Sequence, residues 1–222
     1  MRTITKELQD NLTPAAALQL LQNGNNRFVN NLKANRNLLQ QVNETKEGQH
    51  PFAVILSCID SRTSAELIFD QGLGDIFSAR IAGNILNSDI LGSMEFACKV
   101  AGSKIVLVLG HTKCGAVKGA CDHVELGNLT GLLQKIHPAM AKTPKPDGGS
   151  DDPYTYPNAV AVTNVHLVMD EICKNSPILR EMASKGEIAI VGGMYDVETG
   201  IVEFFEHPEF KGQIDTEALN HV

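Results

Sequence analysis

In SCIDSRTSAE, residues 57–66, a thiol, a carboxylate and a guanidinium stand at alternate positions: Cys58, Asp60 and Arg62. The stretch directly follows the apolar run PFAVIL. In extended chain, residues two apart point to the same side, so these three side chains share one side of the backbone. A second reactive group lies further on in GHTKCG, after the run KIVLVL, where His111 and Cys114 stand three apart. That spacing suits a tight turn entering a helix, whose dipole favours a thiolate at Cys114. If the two apolar runs are neighbouring strands, Cys58, His111 and Cys114 converge at one rim of a sheet. Two thiolates and an imidazole make a good zinc set, and three protein ligands leave the open fourth position of a catalytic site.

Asp60, beside a zinc ion, could become a fourth ligand. A guanidinium within reach binds a carboxylate in a fork, so Arg62 holds Asp60 off the metal and leaves the position to water. The ionised carboxylate then accepts a hydrogen bond from that water and aims its lone pair outward. Zinc lowers the water's pKa towards ~7, giving hydroxide near neutrality. Other chemistries can use the same residues. Cys58 as nucleophile, His111 as base and Asp60 as orienter would make a thiol hydrolase, which chelation would not silence. Asp60 as a permanent fourth ligand would make a zinc-stabilised structural or sensor domain. Cys98, Cys121 and Cys173 lie in helical patterns without such partners and read as small packing residues.

The elements that must position these groups follow from the apolar pattern. FAVIL (52–56) and KIVLVLG (104–110) are continuous apolar runs rich in β-branched residues, as expected of parallel strands buried on both faces. Shorter strands are expected at 74–83 and 187–196, with 200–206 as an antiparallel hairpin partner across VETG. Helical patterns fall at 64–70, 86–101, 115–122, 158–175 and 177–185. The expected fold class is therefore α/β: a mostly parallel central β-sheet with an antiparallel edge strand, flanked by helices. Residues 143–157, rich in Pro, Gly and Asp, read as the one clear loop. The chain is expected to be a single domain over 1–222, with an N-terminal helical arm at 1–48 and the α/β core at 49–222. In the arm, Thr13 is the expected N-cap and Pro14 the first helical residue. Leu18, Leu21 and Phe28 line one face, and Gly24 is expected to weaken the middle. An arm with so little core of its own is expected to wrap a partner subunit.

The 222 residues carry a net charge of -7 with scattered Lys and Arg, which argues against nucleic-acid partners. No run of about 18 apolar residues exists, so no membrane span is expected. The polar start MRTITKELQDNL shows no apolar signal region, so secretion is not expected. Five cysteines at wide spacing make a poor disulfide framework, and a cytoplasmic protein with free or metal-bound thiols is expected.

CIDSR followed by GHTKCG resembles the β-class carbonic anhydrases, reversible hydratases of carbon dioxide. The motifs span Gln49 to Gly119, and ARIAGN (79–84) is similar to the family's segment after its second strand. The resemblance implies zinc ligation by Cys58, His111 and Cys114, one ion per subunit, with Asp60 and Arg62 as an Asp–Arg dyad. It implies attack of zinc hydroxide on carbon dioxide to give bicarbonate and a proton. It assigns Gln49 to a substrate oxygen, Phe77 and Ala82 to an apolar pocket, and Gly115 to a substrate contact through its backbone N–H. It implies a homodimer or higher homo-oligomer whose arm embraces the neighbour, with the glutamine and the phenylalanine coming from the second subunit. Phe96 stands where plant-like members have a tyrosine, and so lacks a hydroxyl. Gln49 together with the absence of Trp points to the open, water-on-zinc type.

Overall fold

The structure, a computed structural model, describes residues 3–145 and 151–210. The chain opens with helices α1 (Lys6–Asn11), α2 (Pro14–Val29) and α3 (Leu38–Thr45), then enters strand β1 (Ala53–Ser57). The short α4 (Ala65–Ile68) leads to β2 (Ile76–Arg80), and a 3₁₀ turn at Ala82–Asn84 leads to α5 (Ser88–Glu95). A π-helical turn at Phe96–Val100 extends α5 toward β3 (Ile105–His111). Next come α6 (Gly115–Cys121), α7 (Gly127–Gln134), α8 (His137–Lys142), α9 (Thr155–Asn175) and α10 (Pro177–Ser184). Strands β4 (Ala189–Tyr195) and β5 (Val202–Glu206) follow, then a 3₁₀ turn at Pro208–Phe210.

The five strands lie in the order β2-β1-β3-β4-β5. The first three pairings are parallel and β4–β5 is antiparallel, as the apolar pattern predicts. Every residue of β1, β3 and β4 is buried, because helices cover both faces. Alternation sorts the side chains. Val54, Leu56, Val106, Val108 and Ile190 join one core with α5, α6, α9 and α10. Ala53, Ile55, Ile105, Leu107 and Val191 join a second core with α2 and α4. Gly192 lets α9 lie close: a Cβ there would meet Met169 Sδ at 2.7 Å.

The N-terminal segment has more core of its own than the apolar pattern suggests. Thr13 does cap α2, its hydroxyl accepting from Ala16 N–H at 3.1 Å. Yet Leu18 and Leu21 are fully buried against Phe52, Ile105 and Leu107 of the chain's own core. Arg27 and Arg36 pair with Asp70, tying the arm down further. Gly24 is a close approach and not a weak point, since a Cβ there would lie 1.8 Å from Phe69 O. Apolar residues of α3, Leu38, Leu39 and Val42, remain exposed. Helices α1, α3, α7 and α8 were not expected from the periodicity; each is eight residues or shorter. The expected loop at 143–157 gives way to α9 at Thr155, and its residues 146–150 lie outside the described residues. Among the described residues, no helix is long and apolar enough to cross a membrane.

Candidate active site

The strand order places a topological switch point between β1 and β3: from β1 the chain passes to β2 on one side, from β3 to β4 on the other. Open α/β sheets form their crevice beyond the carboxyl ends of such strands. Cys58 follows β1 there, and His111 is the last residue of β3. Lys113 takes a left-handed φ of 54°, which closes the HTKC turn, and Cys114 is the N-cap of α6. The Lys113 N–H donates to Asn158 Oδ1 of α9 at 2.8 Å, holding the turn against the helix layer.

The expected trio converges. Cys58 Sγ and Cys114 Sγ are 3.9 Å apart, and with a His111 ring nitrogen the three donors lie within 4.8 Å of one another. Two sulfurs each ~2.3 Å from a tetrahedral zinc are separated by roughly 3.8 Å, so the site fits that ion. His111 Nδ1 lies 2.8 Å from the Thr112 carbonyl oxygen. A carbonyl only accepts, so Nδ1 carries the proton and Nε2 presents a lone pair. That Nε2 is buried without a hydrogen-bond partner, as suits a metal ligand. Cys114, and then the Gly83 N–H, draw the Cys58 thiol down. The Cys58 sulfur pushes the Cys114 thiol upward in turn. The pair thus holds one negative charge readily and a second only beside a cation.

Asp60 accepts from Arg62 three times: from Nε at 2.9 Å, from Nη2 at 2.8 Å and from the backbone N–H at 2.9 Å. The guanidinium holds its carboxyl far below the usual carboxylate range. The sequence did not signal the supports around this loop. Arg80 Nε donates to Cys58 O at 2.9 Å and its Nη2 to Asp60 O at 2.6 Å. The buried Asn164 of α9 donates to Gly83 O at 3.0 Å, and Gly83 N–H points at Cys58 Sγ at 3.4 Å. Arg80 lies in ARIAGN, so that motif could have suggested it. Asn158 and Asn164 are polar residues in a long helical pattern with no local mark.

The chain matches a known family. A family model described as carbonic anhydrase matches residues 53–202. The chain belongs to the β-carbonic anhydrase family. It is 34% identical over 205 residues to carbonic anhydrase 2 of Mycobacterium tuberculosis, covering 89% of this chain and 95% of that protein. Among solved structures, a β-carbonic anhydrase of Aspergillus fumigatus superposes with a TM-score of 0.66 at 24% identity, covering 82% and 86% of the two chains. A β-carbonic anhydrase of Sordaria macrospora, described as tetrameric, superposes with a TM-score of 0.63 at 23% identity, covering 72% and 82%. Both share the fold.

Against the family's expected residues, the single chain divides in two. Ala82 adjoins Gly83 beside Cys58, and Gly115 adjoins Cys114 with open space around its α-carbon. Gln49 and Phe77 do not reach the trio. Phe77 pairs in register with Val54, four residues before Cys58 and so roughly 13 Å back along the strand. Gln49 is exposed beyond the amino end of β1. Phe96 packs on Phe77 edge to face, with ring centroids 6.3 Å apart. Cys98 is buried among apolar side chains, and burial pushes its thiol up to about 12. Cys173 corrects the reading of the remaining cysteines as partnerless: its Sγ faces His207 Nε2 at 3.6 Å.

Proposed function

We propose that the chain hydrates carbon dioxide reversibly to bicarbonate and a proton, with one zinc ion per subunit held by Cys58 Sγ, His111 Nε2 and Cys114 Sγ. The observation that carries this reading is the His111 ring, whose Nδ1 is committed to Thr112 O while its bare Nε2 sits with two sulfurs 3.9 Å apart. Zinc, when bound, supplies a Lewis acid that lowers the pKa of a water at its open position. Asp60 accepts a hydrogen bond from the attacking water and aims its lone pair at the carbon. Arg62 keeps that carboxylate ionised and off the metal, as the two-pronged contact supports. Ala82 and Phe77 form the apolar wall for carbon dioxide, Gln49 donates to one substrate oxygen, and the Gly115 N–H contacts substrate.

Because Gln49 and Phe77 lie back along the same chain, the proposal takes both from a second copy. The exposed Leu38, Leu39 and Val42 of α3 support a homo-oligomer, as does the tetrameric description of the Sordaria relative. We also propose a single domain over 1–222 and a cytoplasmic setting, where reduced thiols suit five free cysteines. The test is stopped-flow hydration on protein of measured zinc content. Activity should scale with zinc, and zinc-replete protein that does not hydrate carbon dioxide would overturn the proposal.

A further inference from the structure

A second group of donors lies outside the catalytic trio. Cys173 near the end of α9, His207 just after β5 and Glu209 in the last 3₁₀ turn present ligand atoms within 4.8 Å of one another. Cys173 and His207 are each 4% exposed, and Glu209 stands at the surface. Asp170, one helical turn before Cys173, places Oδ1 at 3.3 Å from His207 Nε2. The Cys173 Sγ lies 3.6 Å from the same nitrogen.

The Cys173–His207 separation also suits a ligand edge. One N–H cannot point at both Asp170 Oδ1 and Cys173 Sγ with good alignment, and 3.3 Å exceeds the usual N–H···O range. With Zn–S ~2.3 Å and Zn–N ~2.0–2.1 Å, a tetrahedral ion sets S···N at roughly 3.6 Å, the separation of Cys173 Sγ from His207 Nε2. The catalytic pair of sulfurs, at 3.9 Å, matches the same bond lengths about as closely.

We propose that Cys173, His207 and Glu209 form a second divalent-metal site for a borderline-soft cation such as zinc or cobalt. Three donor types from two separate elements make this set selective for such ions over magnesium or calcium. The ion would pin the segment after β5 to α9, on the helix that also braces the catalytic turns through Asn158 and Asn164.

Uptake has a definite proton balance. The metal–sulfur bond replaces the Cys173 S–H bond, and that proton leaves to solvent. The Glu209 N–H now donates to His207 Nδ1 at 3.1 Å, so the neutral ring carries its proton on Nε2. Ligation through Nε2 moves that proton to Nδ1 and displaces the Glu209 N–H. Without an ion, burial and then Glu209 push the Cys173 thiol up to about 12, so it is no free nucleophile. Arg180 holds the Glu209 carboxylate at 3.1 Å, as an orienting partner does for a ligand.

The experiment is a Co²⁺ titration of the metal-stripped full chain, followed by bound equivalents and thiolate-to-cobalt absorption. Two equivalents should bind, each with its own thiolate band. Cys173→Ser should lose one equivalent and one band, while Cys58→Ala should lose the other. Glu209→Gln, at an exposed position that leaves the core intact, should weaken the second uptake by about tenfold or more. A single equivalent in the unaltered chain, or a second thiolate band that survives Cys173→Ser, would overturn the proposal.

Discussion

Arg62 grips both carboxylate oxygens of Asp60, Nε to Oδ1 at 2.9 Å and Nη2 to Oδ2 at 2.8 Å, two residues away along the same loop. The contact is partly open to water, with the Arg62 side chain 48% exposed, so its contribution to stability is small. Its consequence is directional: both carboxylate oxygens are committed to one guanidinium. Asp60→Asn should therefore keep zinc at full stoichiometry and lose about 100-fold or more in hydration rate. Arg62→Ala should free Asp60 to approach the metal, closing the sphere, which X-ray absorption would read as four protein ligands. Asp60→Asn protein with undiminished turnover would remove Asp60 from the mechanism.

The pH dependence follows from the same pair. The carboxyl of Asp60 is depressed below its unfolded value, chiefly by the Arg62 hydrogen bonds. Its contribution to stability is thus fully present above the unfolded pKa of ~3.9 and is lost only as pH falls below that value toward the folded pKa. Asp60 does not titrate near neutrality, so the acid limb of the rate profile belongs to the zinc site. Two thiolates pass more charge to zinc than imidazoles do, so activity should rise into the alkaline range. A profile already flat by pH 7 contradicts this.

Metal removal should act on structure as well as rate. Chelation, or Cys58→Ala, should abolish activity and lower the melting temperature, because ligand binding to the folded state alone stabilises it by about 4 kcal/mol at a thousandfold excess over Kd. Readdition of zinc should restore both in the chelated protein and neither in Cys58→Ala. Calorimetry alongside zinc assay measures this directly.

Mixing tests the proposed sharing of the site between copies. Cys58→Ala lacks a metal ligand and Gln49→Ala lacks the oxygen contact, so each homo-oligomer should be weak. Co-refolded in equal amounts, the two should recover about a quarter of the unaltered activity, since half the pairs are mixed and each has one complete site. No recovery would place Gln49 outside its neighbour's site.

Gly24 offers a test of the helix layer. A Cβ at this position meets the backbone oxygen of Phe69 at 1.8 Å, and backbone cannot move aside cheaply. Gly24→Ala should lower stability by about 1–3 kcal/mol despite alanine's higher helix propensity, read by urea unfolding. A stabilised variant would mean that α2 does not sit so close to α4.

The sheet and the convergence of Cys58, His111 and Cys114 were legible in the sequence because their signals are local. A buried parallel strand must be an unbroken apolar run, and β1 and β3 are such runs. Sites in open sheets lie where such runs stop, and Cys58, His111 and Cys114 stand there. Asp60 and Arg62 are two apart, so chain geometry alone brings them together. The helix layers were less legible. Thr5 and Asn37 cap α1 and α3, α7 and α8 have no side-chain N-cap, and all four are too short for a long periodic stripe.

What only the tertiary structure decided is what lies across from each residue. Leu18 and Leu21 could face a partner or their own sheet, and the Phe69 carbonyl under Gly24 and the Asp70 pairs hold them to the sheet. Arg80, Asn158 and Asn164 brace the catalytic turns across separations of up to 81 residues, and His207 meets Cys173 across 34. The physical reason is that hydrogen-bond geometry and ligand distance depend on how elements pack. Sequence fixes only the order in which those elements arrive.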